Sequence, residues 1–465
     1  MAIRLQFLGA AENVTGSRYL LTVNDTRILV DCGLYQERDF LQRNWDPFPI
    51  PPQRLDAVLL THAHIDHCGY LPRLVRDGFR GRIYGTDATA EIAKIVLLDS
   101  AGLQKEDSEF KRRRHEREKR TGPRPEMPLY STDDVERCCN RFAAVPYGKP
   151  AKIAKGVEAT FLEAGHILGS ASVLVRADGR SIVFSGDIGR WNRPILKDPT
   201  PCPAADYVVM ESTYGDRLHE HQDLTEETLA GVVRDTRDRG GNIVIPCFAI
   251  ERSQEVLYYL NELLQADRIP HLLVFVDSPM ATNVTGVFES HLDLLDDDMK
   301  SRVAARQSPF HFSGLKMVQS VNDSKAINHI KGTVIVMAGA GMCTGGRIKH
   351  HLVQNISRPE SSILFVGYQA AGTLGRLILN GVSPVRILGQ YLPVRARVMQ
   401  IPGFSAHGDR NDLLRWLSGA APFKPRHVFV THGEPQTARS FAETVVREKG
   451  FEASAPKYAE EAVLD

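Results

Sequence analysis

Cysteine is scarce and shows no pairing pattern. The seven cysteines (32, 68, 138, 139, 202, 247 and 343) form no C-x-x-C pair and are odd in number. That argues against a disulfide framework and against a zinc ribbon, and the thiols are expected to be reduced. Long apolar runs are also missing. No segment approaches the roughly 20 residues needed to span a bilayer, so no membrane partner is expected. The opening MAIRLQFLGAAENVTGSRYL holds no sustained apolar stretch before a cleavage site. No secretory signal is visible there, and the cytoplasm is the expected compartment. Net charge is small as well, only +1. A polyanionic partner would have to be drawn by a local cleft and bound metal rather than by the field of the whole molecule. There is no internal repeat. The glycine-rich VMAGAGMCTGGRIKHH lacks the G-x-G-x-x-G spacing, which rejects a nicotinamide cofactor, although a glycine turn before a helix can still favour phosphate or simply supply a tight bend.

What remains is ordinary globular composition, 43% apolar and 24% charged over 465 residues, enough for two or three units at roughly 150 residues each. IRLQFLGA, SRYLLTV and TRILVDCG read as strands, with Asn24-Asp25 as a hairpin turn. LDAVLLTHAH reads as a buried strand running out into polar residues. Helical periodicity follows in ATAEIAKIVLLDSAG and STDDVERCCNRF, and strands return in EATFLEAGH, ASVLVRADGRSIVFSGD and ADYVVMEST. From about residue 215 helix and strand alternate, the rhythm of a parallel, doubly wound α/β unit. The charge run KRRRHEREKR, 111 to 120, leads into TGPRPEMP. It fits either a phosphate-binding arm or a solvated helix end, the glutamates that interrupt it favouring the second.

The densest chemistry lies in Thr61-His62-Ala63-His64-Ile65-Asp66-His67-Cys68-Gly69. In an extended segment His62 and His64 face the same way and can chelate one ion, while Asp66 and His67 lie where the chain must turn and can reach a second. Imidazoles packed this closely need a shared partner, and zinc is the economical one. His166 in EAGHILGS and Asp187 in FSGDIG each end a strand beside glycines. Asp187, with two oxygens, can bridge two cations.

H-x-H-x-D-H followed by single His and Asp residues at these intervals resembles the metallo-β-lactamase superfamily. Asp31 in ILVDCG, Glu211 in VVMESTYG, His407 in FSAHGD and His432 in VTHGE are similar to the motifs of its β-CASP family of nucleases. The resemblance covers nearly the whole chain. It implies an αββα sandwich with an inserted β-CASP doubly wound α/β domain: residues 1–214 and 395–465 in the metallo-β-lactamase domain, 215–394 in the insert. It assigns His62, His64 and His166 to one zinc and Asp66, His67 and His432 to the other, with Asp187 bridging: two Zn2+ per chain. Asp31 would orient a histidine or metal-bound water, or merely end its strand. The implied activity is ribonuclease, endo- or 5′-exonucleolytic, in which a metal-bridging hydroxide attacks the phosphodiester of single-stranded RNA. His407 would protonate the leaving oxygen, with Glu211 holding that ring or capping its own turn. Ser278, Arg252, Lys349, Arg376 and Ser405 are candidate phosphate contacts. Glu251 stands where family members commonly carry Gly, which weakens Arg252. His432 tilts the substrate towards RNA, because the DNA-processing branch tends to carry Val there. The insert is expected to lie over the zinc site and to supply specificity. A small-molecule hydrolase of the same superfamily and a non-catalytic RNA-binding scaffold are the alternatives, disfavoured by the insert and by the filled ligand positions. The assembly can be a monomer or a dimer through the metal domain.

Overall fold

Apolar alternation in the first thirty residues builds a hairpin, Ile3–Gly9 being followed by Arg18–Val23 and Thr26–Val30. Asn24, in the left-handed region at φ 55°, turns the last two strands against each other. The computed structural model describes residues 3–122, 126–219, 222–370 and 372–465. Two compact units account for the chain: Met1–Asn192 with Lys197–Leu218 and His407–Asp465, and Arg193–Leu196 with His219–Ala406.

The first unit contains two seven-stranded sheets. One runs Glu461–Leu464, Ile3–Gly9, Arg18–Val23, Thr26–Val30, Ala57–Leu59, Arg82–Gly85, Phe142–Ala144; the other Ala453–Ser454, His427–Thr431, Tyr207–Glu211, Arg180–Phe184, Ala171–Ala177, Val157–Glu163, Ala151–Ala154. Their inner faces share one core, in which Leu5, Phe7, Leu21, Ile28 and Val30 meet Phe161, Val173, Phe184, Val209 and Phe429. The outer face of the second sheet is covered by helices Arg410–Ser418 and Pro435–Lys449, through Leu413, Trp416, Leu417, Phe441 and Val445. Helices Leu71–Arg76, Asp87–Glu118 and Thr132–Cys139 belong to the first sheet's side. Four layers, αββα, result.

The second unit holds a six-stranded parallel sheet ordered Leu315–Met317, Leu273–Asp277, Val334–Ala338, Ile243–Pro246, Ser362–Phe365, Arg397–Gln400. Its four inner strands are near-continuous buried runs, as a parallel sheet covered on both faces requires. Arg397–Gln400 pairs with Ser362–Phe365 here, so this unit runs on to Ala406, past the boundary at 394 drawn from the sequence. No helix among the described residues is long and apolar enough to cross a membrane.

Candidate metal centre

Five strand ends converge on one site because their strands run parallel: Thr26–Val30 with Ala57–Leu59 in one sheet, and Arg180–Phe184, Tyr207–Glu211 and His427–Thr431 in the other. After Ala57–Leu59 the chain stays extended through His64 (φ −66°, ψ 149°), then turns into the short helix Ile65–Cys68. That bend sends His62 and His64 one way and Asp66 and His67 another. Close backbone approach makes the bend fit: a Cβ on Gly33 would lie 1.6 Å from the Asp66 carbonyl oxygen, and one on Gly189 would lie 1.8 Å from that of Gly165, next to His166.

Two donor clusters follow. His64 Nδ1 lies 3.1 Å from both His62 Nε2 and His166 Nε2. His67 Nε2 lies 3.0 Å from His432 Nε2, which is 3.4 Å from Asp66 Oδ2. Asp187 stands between them. Its Oδ2 is 3.4 Å from His62 Nε2 and 3.5 Å from His166 Nε2, whereas its Oδ1 is 3.3 Å from His67 Nε2 and 3.7 Å from His432 Nε2. Ligand atoms of His62, His64, His166 and Asp187 all fall within 4.8 Å of one another, and so do those of Asp66, His67 and His432.

Electrostatics separates the clusters. Burial, reinforced by His67, pushes His62 down to about 4; burial and His62 push His64 down to about 3; burial and His407 push His166 well below the usual imidazole range. These rings stay neutral at pH 7, with lone pairs free to ligate. Burial also opposes charge on His67 and His432, but Asp187 outweighs it, lifting His67 well above its ordinary value and His432 to about 9. Burial opposes ionisation of the carboxylates too. His432 nevertheless holds Asp66 below its usual range, and His432 with His67 holds Asp187 well below its own.

The residues fit divalent cations. Asp187 Oδ1 is buried without a hydrogen-bond partner among the described residues, and five imidazoles aim ring nitrogens at it or at each other. A nitrogen-and-carboxylate set of this kind is chemically matched to a borderline cation such as Zn2+.

A second layer of hydrogen bonds holds these rings. Asp31, buried and at φ 58°, places Oδ2 2.8 Å from His67 Nδ1 and accepts from the Thr61 amide and hydroxyl. The Thr61 hydroxyl lies 3.1 Å from His62 Nδ1. Thr213 Oγ1 lies 3.1 Å from His432 Nδ1 and donates to the His432 carbonyl at 3.2 Å, steadying a backbone at φ 51°. Thr61 and Thr213 were missed as functional residues in the sequence. Their only signal is a hydroxyl beside a ligand motif or at the strand end opposite one.

Beside the donors, Glu211 is fully buried. Its Oε1 accepts from the Ile188 amide at 2.7 Å and lies 3.2 Å from His407 Nδ1, and its Oε2 accepts from the Thr213 amide. The carboxylate thus caps its turn and holds the ring at once. Burial opposes charge on His407 but Glu211 overrides it, raising its pKa. His407 is 21% exposed, the accessible member of this pair.

The five candidate phosphate contacts all belong to the second unit. Ser278 caps helix Pro279–Ser290, its hydroxyl accepting from the Ala281 amide. Arg252 opens helix Arg252–Gln265 and is buried near Glu255. Lys349 lies at the start of Ile348–Asn355, and Arg376 donates to the Gln369 carbonyl at 2.6 Å beside the Tyr368 ring. Ser405 is buried after the turn Pro402–Phe404. Ser278, Arg252 and the glycine-rich turn each follow the carboxyl end of a parallel strand, the edge where open α/β sheets bind ligands.

Known proteins resemble this chain over nearly its whole length. Residues 26–239 match the Beta-lactamase superfamily domain, 253–378 the Beta-Casp domain, and 391–456 the Zn-dependent metallo-hydrolase RNA specificity domain. Ribonuclease TTHA0252 of Thermus thermophilus is 37% identical over 98% of this chain and 99% of its own. Transcription termination factor FttA of Methanocaldococcus jannaschii is 31% identical over 96% of this chain and 69% of its own, and the RNase J-like protein of the same organism 29% over 95% of each. A protein of unknown function from Enterococcus faecalis V583 superposes over the full length of both chains at TM-score 0.56 with 11% identity, a likeness of fold alone.

Proposed function

Because this chain belongs to the β-CASP family of the metallo-β-lactamase superfamily, and is therefore a hydrolase, we propose that it is a zinc-dependent ribonuclease hydrolysing phosphodiester bonds of single-stranded RNA. The reading rests on Asp187, whose two oxygens face two different sets of imidazoles. His62, His64 and His166 would hold one Zn2+, Asp66, His67 and His432 a second, and Asp187 both. Bound there, the cations would supply water acidic enough to attack at neutral pH and positive charge opposite the phosphoryl oxygens.

The protein's own groups do the rest. Asp31 fixes the tautomer and orientation of His67 directly and of His62 through Thr61, and Thr213 does the same for His432. The Glu211 carboxylate favours the protonated form of His407 and holds its ring, so that His407 would give its proton to the departing ribose oxygen. The names of the Thermus ribonuclease and of the RNA specificity domain support RNA as the polymer. The turns after the second unit's parallel strands, with Ser278, Lys349 and Arg376, would contribute phosphate contacts. The deciding experiment compares cleavage of a labelled single-stranded RNA and the matching DNA by purified protein, by Asp187→Ala and His407→Ala variants, and after chelation. RNA cut only by the untreated wild type upholds the reading; no cleavage of either polymer by zinc-loaded protein overturns it. Product lengths separate endonucleolytic from exonucleolytic action.

A further inference from the structure

Helix Asp87–Glu118 is 32 residues long, but its buried residues stop at Ala101. At 1.5 Å per residue, roughly 25 Å of helix continues beyond the last core contact. Its start is tied to the loop that carries His166: the hydroxyls of Thr86 and Thr89 both donate to the carbonyl of Gly169, three residues from His166. The far end is held on one side by the returning chain, where Gln104 accepts from the Leu129 amide and His115 pairs with Glu126. The opposite side is open. There the i, i+3, i+4 spacing lines up Leu103, Glu106, Phe110, Arg113 and Arg117.

That face is unusual twice over. Phe110 is 65% exposed and Leu103 52%, apolar groups left uncovered by the described residues. Residues 111–120 contain seven basic and two acidic side chains, a local charge of +5 in a chain whose total is +1. Ion pairs within the helix engage Lys111 with Asp107 and Arg114 with Glu118, but Arg113 meets Glu109 only at 3.8 Å, and Arg117 forms no ion pair among the described residues. An exposed aromatic ring interleaved with arginines is what a single nucleic-acid strand can use, the ring for base stacking and the guanidiniums for phosphates.

We infer that this projecting helix is an RNA-binding arm, on which Phe110, Arg113 and Arg117 hold the substrate strand at a distance from the bond being cut. The inference rests on the ribonuclease reading. Arg113 lies 26 residues along the helix from Asp87, roughly 40 Å. Spanning it takes about 12 nucleotides stacked at about 3.4 Å each, so the arm acts on long substrates only.

The test compares a 30-nucleotide RNA with an 8-nucleotide one, using wild type, Arg113→Glu/Arg117→Glu and Phe110→Ala. These surface substitutions are checked by thermal melting, and sedimentation is run alongside. The expected result is an approximately tenfold fall in the long-to-short ratio of kcat/KM, carried by KM. The salt slope of long-RNA binding should flatten by about 1.4, two phosphates at about 0.7 each. An unchanged ratio and slope would overturn the arm, as would variants that dissociate a wild-type oligomer, which would make the face a contact between copies. Binding of the long RNA is also measured by anisotropy on Asp187→Ala protein. If wild type cleaves no RNA but binding still depends on Arg113 and Arg117, the ribonuclease reading fails and the arm survives; if cleavage proceeds and binding ignores them, the arm alone fails.

Discussion

Asp31 Oδ2 lies 2.8 Å from His67 Nδ1, and the same carboxylate accepts the Thr61 hydroxyl that faces His62 Nδ1. One buried acid thus orients a ring in each donor cluster. Asp31→Ala should lower metal affinity about 10- to 100-fold, as removal of such outer partners commonly does. Thr61→Val should weaken retention of the ion near His62 more than that of its neighbour. Metal titration with stoichiometry by elemental analysis reads both; unchanged affinity in Asp31→Ala would refute the link.

Thr213 makes a parallel prediction at His432. Thr213→Val removes the hydroxyl facing Nδ1 and leaves the volume nearly constant, so metal content near His432 should fall while Thr213→Ser restores it. Equal metal content in the valine and serine variants would reduce Thr213 to a packing residue.

His407→Ala should lower kcat on RNA by roughly 10²–10⁴ with metal content intact. A phosphodiester whose leaving group is already a weak base, such as a p-nitrophenyl ester, needs no proton donor and should lose far less. Similar losses on both substrates would remove His407 from the role of acid.

Gly33 is a structural test of the bend that separates the clusters. A methyl group there meets the Asp66 carbonyl at 1.6 Å, so Gly33→Ala should cost about 3 kcal/mol or more and halve the bound metal. A variant with wild-type melting and two ions per chain would show the bend to be more tolerant than this contact allows.

Glu163 gives the pH prediction. Burial raises its carboxyl from 4.5 to about 7, against the pull of the Gly165 amide that donates to it. A carboxyl that binds its proton more tightly when folded loses stability for the fold as pH rises from about 4.5 to about 7, with no further loss above. The melting temperature of Glu163→Gln relative to wild type should therefore climb by a few degrees across that window. Parallel profiles would contradict it.

The metal motif was legible because it is local: three histidines and a carboxylate within six residues, with the period of an extended segment for His62 and His64. The αββα sandwich and the position of Glu211 opposite His407, 196 residues apart, came from the resemblance and not from pattern. Periodicity says which face of a strand is buried, not which strand it pairs with. That is why the boundary at 394 separates Arg397–Gln400 from Ser362–Phe365, the strand it pairs with. Thr61 and Thr213 escaped for a related reason, since a threonine becomes a histidine's partner only when separate strand ends meet. The basic run at 111–120 read as a solvated helix end, and only the exposure of Phe110 on the same face gives it another meaning.

The second unit interrupts the first between Leu218 and His407, so six donors, from His62 to Asp187, precede it in the chain while His407 and His432 follow it. A ribosome-bound chain therefore carries six of the proposed metal donors long before it carries His407, the proposed proton donor. Closing the Glu211–His407 pair across the intervening residues is entropically slow rather than costly, because loop-closure entropy grows only with the logarithm of length. The proposed centre is complete only when strand His427–Thr431, which comes after the second unit in the chain, pairs with Tyr207–Glu211. Unfinished copies of the protein would be harmless to the RNA from which they are being translated.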